Sequence, residues 1–176
     1  MFEQRVREER QWGEWLMTNE ELFLAVVLNG WKGNVERADK MFSSLSEEQL
    51  LSEIAPGKNR LIYLWGHLTA VHDAMLPLMG LGQRLHPEFD VPFISSPDKT
   101  LANISSSEEV RQAWNEVNRE LSEGFARLSA EEWLEKHAAV SAEDFLRQPT
   151  RNRLAILASR TNHLSYHLGQ AALGAK

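Results

Sequence analysis

Residues 58–82 read KNRLIYLWGHLTAVHDAMLPLMGLG. Leu61, Leu64, Leu68, Val71, Met75 and Leu78 recur every three or four residues, which is the spacing of one helical face. Pro77 has no N–H to give to the carbonyl of Asp73, which predicts a kink there. Gly80 and Gly82 are expected to end the helix. Upstream, residues 19–44 carry Phe23, Val27, Gly30, Trp31, Asn34, Ala38, Met41 and Phe42 at helical spacing. Downstream, 107–128 places Val110, Trp114, Val117, Leu121 and Phe125 in register, after an SSSEE run suited to an N-cap and acidic first turn. Residues 149–173 form a fourth long helical segment, with Pro149 expected near its first turn.

Between these lie three short helical pieces, SEEQLLSEI, SAEEWLEKH and SAEDFLRQ. Each opens on a serine with a capping partner three residues later: Ser46 with Gln49, Ser129 with Glu132, Ser141 with Asp144. Residues 83–104 break the pattern with Pro87, Pro92 and Pro97, and are expected as an irregular crossover that either has a structural role or forms one wall of a cavity. Almost nothing reads as a strand. The expected fold is all-α, a four-helix bundle with a long crossover between the second and third helices, forming one domain over 1–176. The first 17 residues are expected to add a short helix through Trp12, Trp15 and Leu16.

The composition excludes several function classes. The chain has 176 residues, 43% hydrophobic and 25% charged, long enough for a sizeable core. No apolar run is long enough to span a bilayer, and the charged opening MFEQRVREERQWGEWL is not a secretory signal. There are no cysteines, which removes disulfides, thiolate nucleophiles and cysteine–zinc sites, and fits a cytoplasmic location. The net charge of -6 without a basic cluster argues against nucleic acid as a partner. P-loop, Rossmann and GxSxG patterns are absent.

Six histidines remain: His67, His72, His86, His137, His163 and His167. His163 and His167 lie in RTNHLSYHLGQ, residues 160–170. Four residues apart on a helix, they sit about 40° from each other on one face, so both imidazoles can reach one ion at about 2.0–2.1 Å. The same pair also suits two structural histidines bonded to neighbours. His67 and His72 lie about 140° apart on the second long helix and cannot both face one site. Periodicity does not choose between them. His86 and His137 read as solvated or loop-capping residues.

WGHLTAVHD, followed about 95 residues later by NHLSYHLGQ, resembles the DinB/YfiT-like metalloenzyme family. The resemblance extends from about residue 19 to 173 through helix count, crossover position and motif order. It implies a metal held by His67, His163 and His167, which selects His67 over His72. It also implies one divalent ion, zinc or nickel, because three imidazoles with an open position suit either. Related bundles transfer low-molecular-weight thiols to electrophiles, so the resemblance implies an S-transferase acting on a small molecule. A chain without cysteine must then take its thiol from a cosubstrate. Metal-dependent hydrolysis and a noncatalytic metal- or ligand-binding bundle are the alternatives.

Tyr63 and Tyr166 are candidates to orient substrate, beside the reading of each as a core tyrosine. Gln170 is a candidate to orient an imidazole. Arg60 and Arg160 are candidates to attract an anion, beside the reading of each as a solvated charge. Trp65 reads as core. A homodimer through an apolar helix face is expected, without a defined interface.

Overall fold

The computed structural model describes residues 17–174. The expected helix through Trp12, Trp15 and Leu16 lies outside them. Eight α-helices occur among the described residues: α1 Asn19–Ser43, α2 Glu47–Leu51, α3 Leu61–Asp73, α4 Met75–Leu78, α5 Ser107–Arg127, α6 Ala130–Trp133, α7 Ala142–Arg147 and α8 Arg153–Gly174. No strand is present among these residues beyond two isolated bridges. No described helix is long and apolar enough to cross a membrane.

Most helix starts are set locally. Complete capping boxes join Thr18 with Glu21, Ser46 with Gln49, Ser106 with Glu109, and Ser129 with Glu132. Each satisfies two backbone donors that a bare helix end would leave to water. Ser141 caps α7 by accepting from the Asp144 N–H. α8 starts later than Pro149 suggested. Residues 149–152 form a turn, and Asn152 Oδ1 accepts the Ala155 N–H at 2.9 Å, so Asn152 supplies the cap.

The segment 58–82 is not one kinked helix. α3 ends at Asp73, Ala74 is its cap, and a separate turn, α4, carries Pro77. The missing proline N–H therefore divides the helix instead of bending it. Phe23 also departs from expectation. It is 72% exposed, with Leu22 and Val26 exposed beside it, because the buried face of α1 begins at Trp31 and continues through Asn34, Ala38 and Phe42.

α3 is the central element. Eleven of its thirteen residues are buried, leaving His67 and Val71 partly exposed. It packs on α5 and α8, and α1 packs on α8. A groove of about 500 Å³ separates α1 from α5, floored by Trp31, Val35 and Phe125. One apolar cluster gathers Phe42, Trp65, Phe93, Trp114 and Leu164, with the Trp65 ring stacked on Phe42 at 5.1 Å. A second gathers Trp31, Met75, Leu76, Phe125, Trp133 and Leu157.

The crossover lies against α3. It contains a 3₁₀ turn, Pro87–Phe89, and a π-helical turn, Val91–Ser95. Its beginning is fixed to the end of α3. The buried Asp73 carboxylate accepts the N–H groups of Leu85 at 2.8 Å and His86 at 3.0 Å, and pairs with Arg84 at 3.0 Å. Its far end is fixed to the start of α3, where Asp98 accepts the Arg60 N–H and guanidinium, both at 2.7 Å. Burial opposes charge on Asp98, but the Arg60 bonds and charge prevail and hold its carboxyl below the ordinary value. The crossover therefore returns along α3 in the opposite sense, placing Phe93 beside Gly66 in the helix middle.

Asp73→Ala leaves two amides without their acceptor and removes one of the two carboxylates that pair with Arg84, which keeps Asp90. It is expected to lower unfolding free energy by about 2–4 kcal/mol. A denaturant titration checks this, and a loss below about 1 kcal/mol shows that the clamp is dispensable.

Candidate metal centre

His67 comes from the middle of α3, and His163 and His167 from successive turns of α8. Each is half-buried, and one nitrogen from each lies within 4.8 Å of the others. The Nε2 atoms face inward: His67 to His163 is 3.3 Å and His167 to His163 is 3.1 Å. Bonds of 2.0–2.1 Å at tetrahedral angles separate ligand nitrogens by about 3.3–3.4 Å, so these spacings match the edges of a tetrahedral site.

The outer nitrogens fix the tautomers. His67 Nδ1 lies 2.8 Å from the Phe93 carbonyl, which can only accept, so Nδ1 carries the proton and Nε2 a lone pair. His167 Nδ1 lies 2.7 Å from Gln170 Oε1, while Gln170 Nε2 donates to the Tyr166 hydroxyl at 3.1 Å. That again leaves a lone pair on Nε2. His163 Nδ1 is buried without a partner. Two inward lone pairs thus converge on His163, and either of its tautomers leaves a ring nitrogen unsatisfied. The donor set fits a cation at the centre, which would take an inward Nε2 lone pair from each ring.

The three rings are held neutral. Burial pushes His163 down to about 4, assisted by positive charge from His167, His67 and Arg160. Burial also lowers His67, against its bond to Phe93, and the Arg160 charge adds to it. Burial lowers His167, against its bond to Gln170. Neutral imidazole is the ligand form.

The remaining candidates lie in different settings. The Tyr63 hydroxyl donates to the Ser96 carbonyl at 2.8 Å, fixing the crossover, and its ring lies parallel to His67 at 6.5 Å. Tyr166 is 63% exposed beside His167. Arg60 pairs with Asp98 at the N-terminal end of α3 and is not a free solvated charge. Arg160 is partly buried, and its Nε is shielded without a partner. His86 bridges Glu88 and Glu116, while His137 Nδ1 accepts the Ala139 N–H. Trp65 is core.

His72 is fully buried and separate from the trio. Its ring sits between Trp31 and Trp114, at 4.5 and 4.8 Å, and Nδ1 donates to Asn118 Oδ1 at 2.9 Å. Burial pushes it down to about 3, outweighing the bond to Asn118.

Sequence reasoning missed Gly66 and the Phe93 carbonyl. A Cβ on Gly66 would lie 2.4 Å from the buried Phe93 ring, so glycine permits the approach that brings this carbonyl to His67. The available signal was a lone glycine inside an apolar helix, which marks close packing.

An all-α bundle that directs three imidazoles from two helices to one point is a helical protein with a candidate metal centre. The model for the DinB superfamily matches residues 31–171, well over half of the sequence, and the chain belongs to that superfamily. DinB-like proteins bind metals in general. Among curated proteins, none matches.

Gly66→Ala is expected to lower unfolding free energy by about 1–2 kcal/mol, since overpacking against Phe93 exceeds the gain in helix propensity. A higher denaturation midpoint shows instead that Phe93 yields freely. For His72, the folded pKa lies below the unfolded value of about 6.5. Its stabilising contribution is therefore complete above pH 6.5 and declines as pH falls toward 3, because only the unfolded chain takes up the proton. Relative to wild type, His72→Gln is expected to flatten the stability profile between pH 6 and 4 by up to about 1.4 kcal/mol per unit. Equal slopes show that protons reach the ring in the folded state.

Proposed function

We propose that this protein is a divalent-metal-dependent enzyme acting on a small molecule, transferring a low-molecular-weight thiol to an electrophile. The observation that carries the reading is the convergence of three imidazoles, with His163 Nε2 near the tetrahedral spacing from the Nε2 atoms of both His67 and His167 and the latter two rings oriented by outer hydrogen bonds. His67, His163 and His167 would hold the ion. A zinc or nickel ion there would supply Lewis acidity, lowering the pKa of a thiol or water at its open position.

The rest is the work of the chain. The Phe93 carbonyl and Gln170 orient two imidazoles and raise their basicity. Burial keeps all three rings unprotonated. The group that can hold an ion contains only three side chains among the described residues, each half-buried. A fourth tetrahedral position is thereby left to substrate, which favours an enzyme over a sealed structural site. Among the described residues, no carboxylate joins the three imidazoles in their cluster. Hydrolases of the HExxH type pair their ion with a carboxylate base, so this surrounding favours a nucleophile that is already an anion, such as a thiolate.

Metal analysis by plasma mass spectrometry tests the centre. Wild type and His72→Gln are expected to carry about one divalent ion per chain, and His67→Ala and His163→Ala to lose most of it. Equal metal in all four rejects the trio. Conjugation of small thiols to an aromatic halide by the loaded protein, lost in His163→Ala, then tests transfer.

A further inference from the structure

We propose that Arg160 is an anion-binding residue of this site, so that the substrate or cosubstrate is a small acid whose carboxylate docks on the guanidinium beside the ion. The inference rests on the metal reading above and deepens it.

Arg160 lies three residues before His163 and seven before His167 on α8. By helical geometry it falls about 60° from the first and about 20° from the second, on the same face. Its side chain is partly buried, its Nε is shielded from water, and it makes no ion pair or hydrogen bond among the described residues. Other partly buried arginines here are matched: Arg60 with Asp98, Arg84 with Asp73 and Asp90, Arg153 with Glu135. Arg160 departs from that pattern, on the same face of α8 as the two ligand histidines.

Its charge reaches both helices that build the site, since it acts on His67 and His72 of α3 as well as on His163 of α8. Three neutral imidazoles leave the full charge of a divalent ion uncompensated, and Arg160 adds a further positive charge. No carboxylate joins the three imidazoles in that cluster among the described residues. A guanidinium presents N–H groups in a planar fork that matches a carboxylate bidentately, and a partly dehydrated fork gains more from such a partner than an exposed one. A thiol acid would satisfy both needs at once, with sulfur toward the ion and carboxylate on Arg160.

Calorimetry on metal-loaded protein with 3-mercaptopropionate and its neutral counterpart 3-mercaptopropan-1-ol tests this. Wild type is expected to prefer the acid by about tenfold or more, the scale of one charge-assisted bidentate contact. In Arg160→Gln the preference falls toward one while affinity for the alcohol and metal content stay unchanged. Arg160→Lys keeps the charge without the fork and is expected to retain only part of the preference. Equal preference in wild type and Arg160→Gln, or none in wild type, overturns the proposal while leaving the metal reading intact. Wild type that holds no metal overturns the metal reading and takes this one with it.

Discussion

Two buried carboxylates at opposite ends of one helix organise the molecule. Asp73 fixes where the chain leaves α3, and Asp98 fixes where it returns to the same helix. Between them the crossover has a defined path, so Phe93 meets the helix at Gly66. This path places the carbonyl that orients His67, and it does so with backbone. The Tyr63 hydroxyl, bonded to the Ser96 carbonyl, holds the same line between the two anchors.

The candidate centre combines two sources of order. His163 and His167 are set by the pitch of a single helix, which needs no tertiary contact. His67 is set by packing of α3 against α8 and by the crossover. The outer bonds to Phe93 and Gln170 then choose the tautomers, converting a cluster of histidines into a set of inward lone pairs. Burial, with the charge of Arg160, keeps those lone pairs free of protons.

Much of this was legible in the residues. The helical period of the four long segments and the serine caps are local signals, and α1, α5 and the three short helices follow them closely. The all-α class came from the same patterns, and the resemblance to DinB from the motifs WGHLTAVHD and NHLSYHLGQ in their order along the chain. What failed was local competition. Pro77 splits its segment outright, and the Asn152 cap outranks Pro149 as the start of α8. The exposure of Phe23 depends on which neighbours α1 meets, which no periodicity contains. At the site, spacing paired His163 with His167, and the resemblance, not periodicity, selected His67 over His72; the physical reason lies in tertiary packing, since one faces α8 and the other lies between two indoles beside Asn118. Main-chain acceptors such as the Phe93 carbonyl leave no trace in residue identity.

Because two imidazoles ride on α8 and the third on α3, the trio measures the gap between those helices. The rise of a helix is about 1.5 Å per residue, so a slide of one residue exceeds the tolerance of any ligand sphere. A molecule wedged between α3 and α8 would open the triangle at His67 alone, while the pair on α8 kept its spacing. The centre is in that sense a calliper with one rigid jaw and one hinged jaw, and its grip follows the closure of the whole bundle.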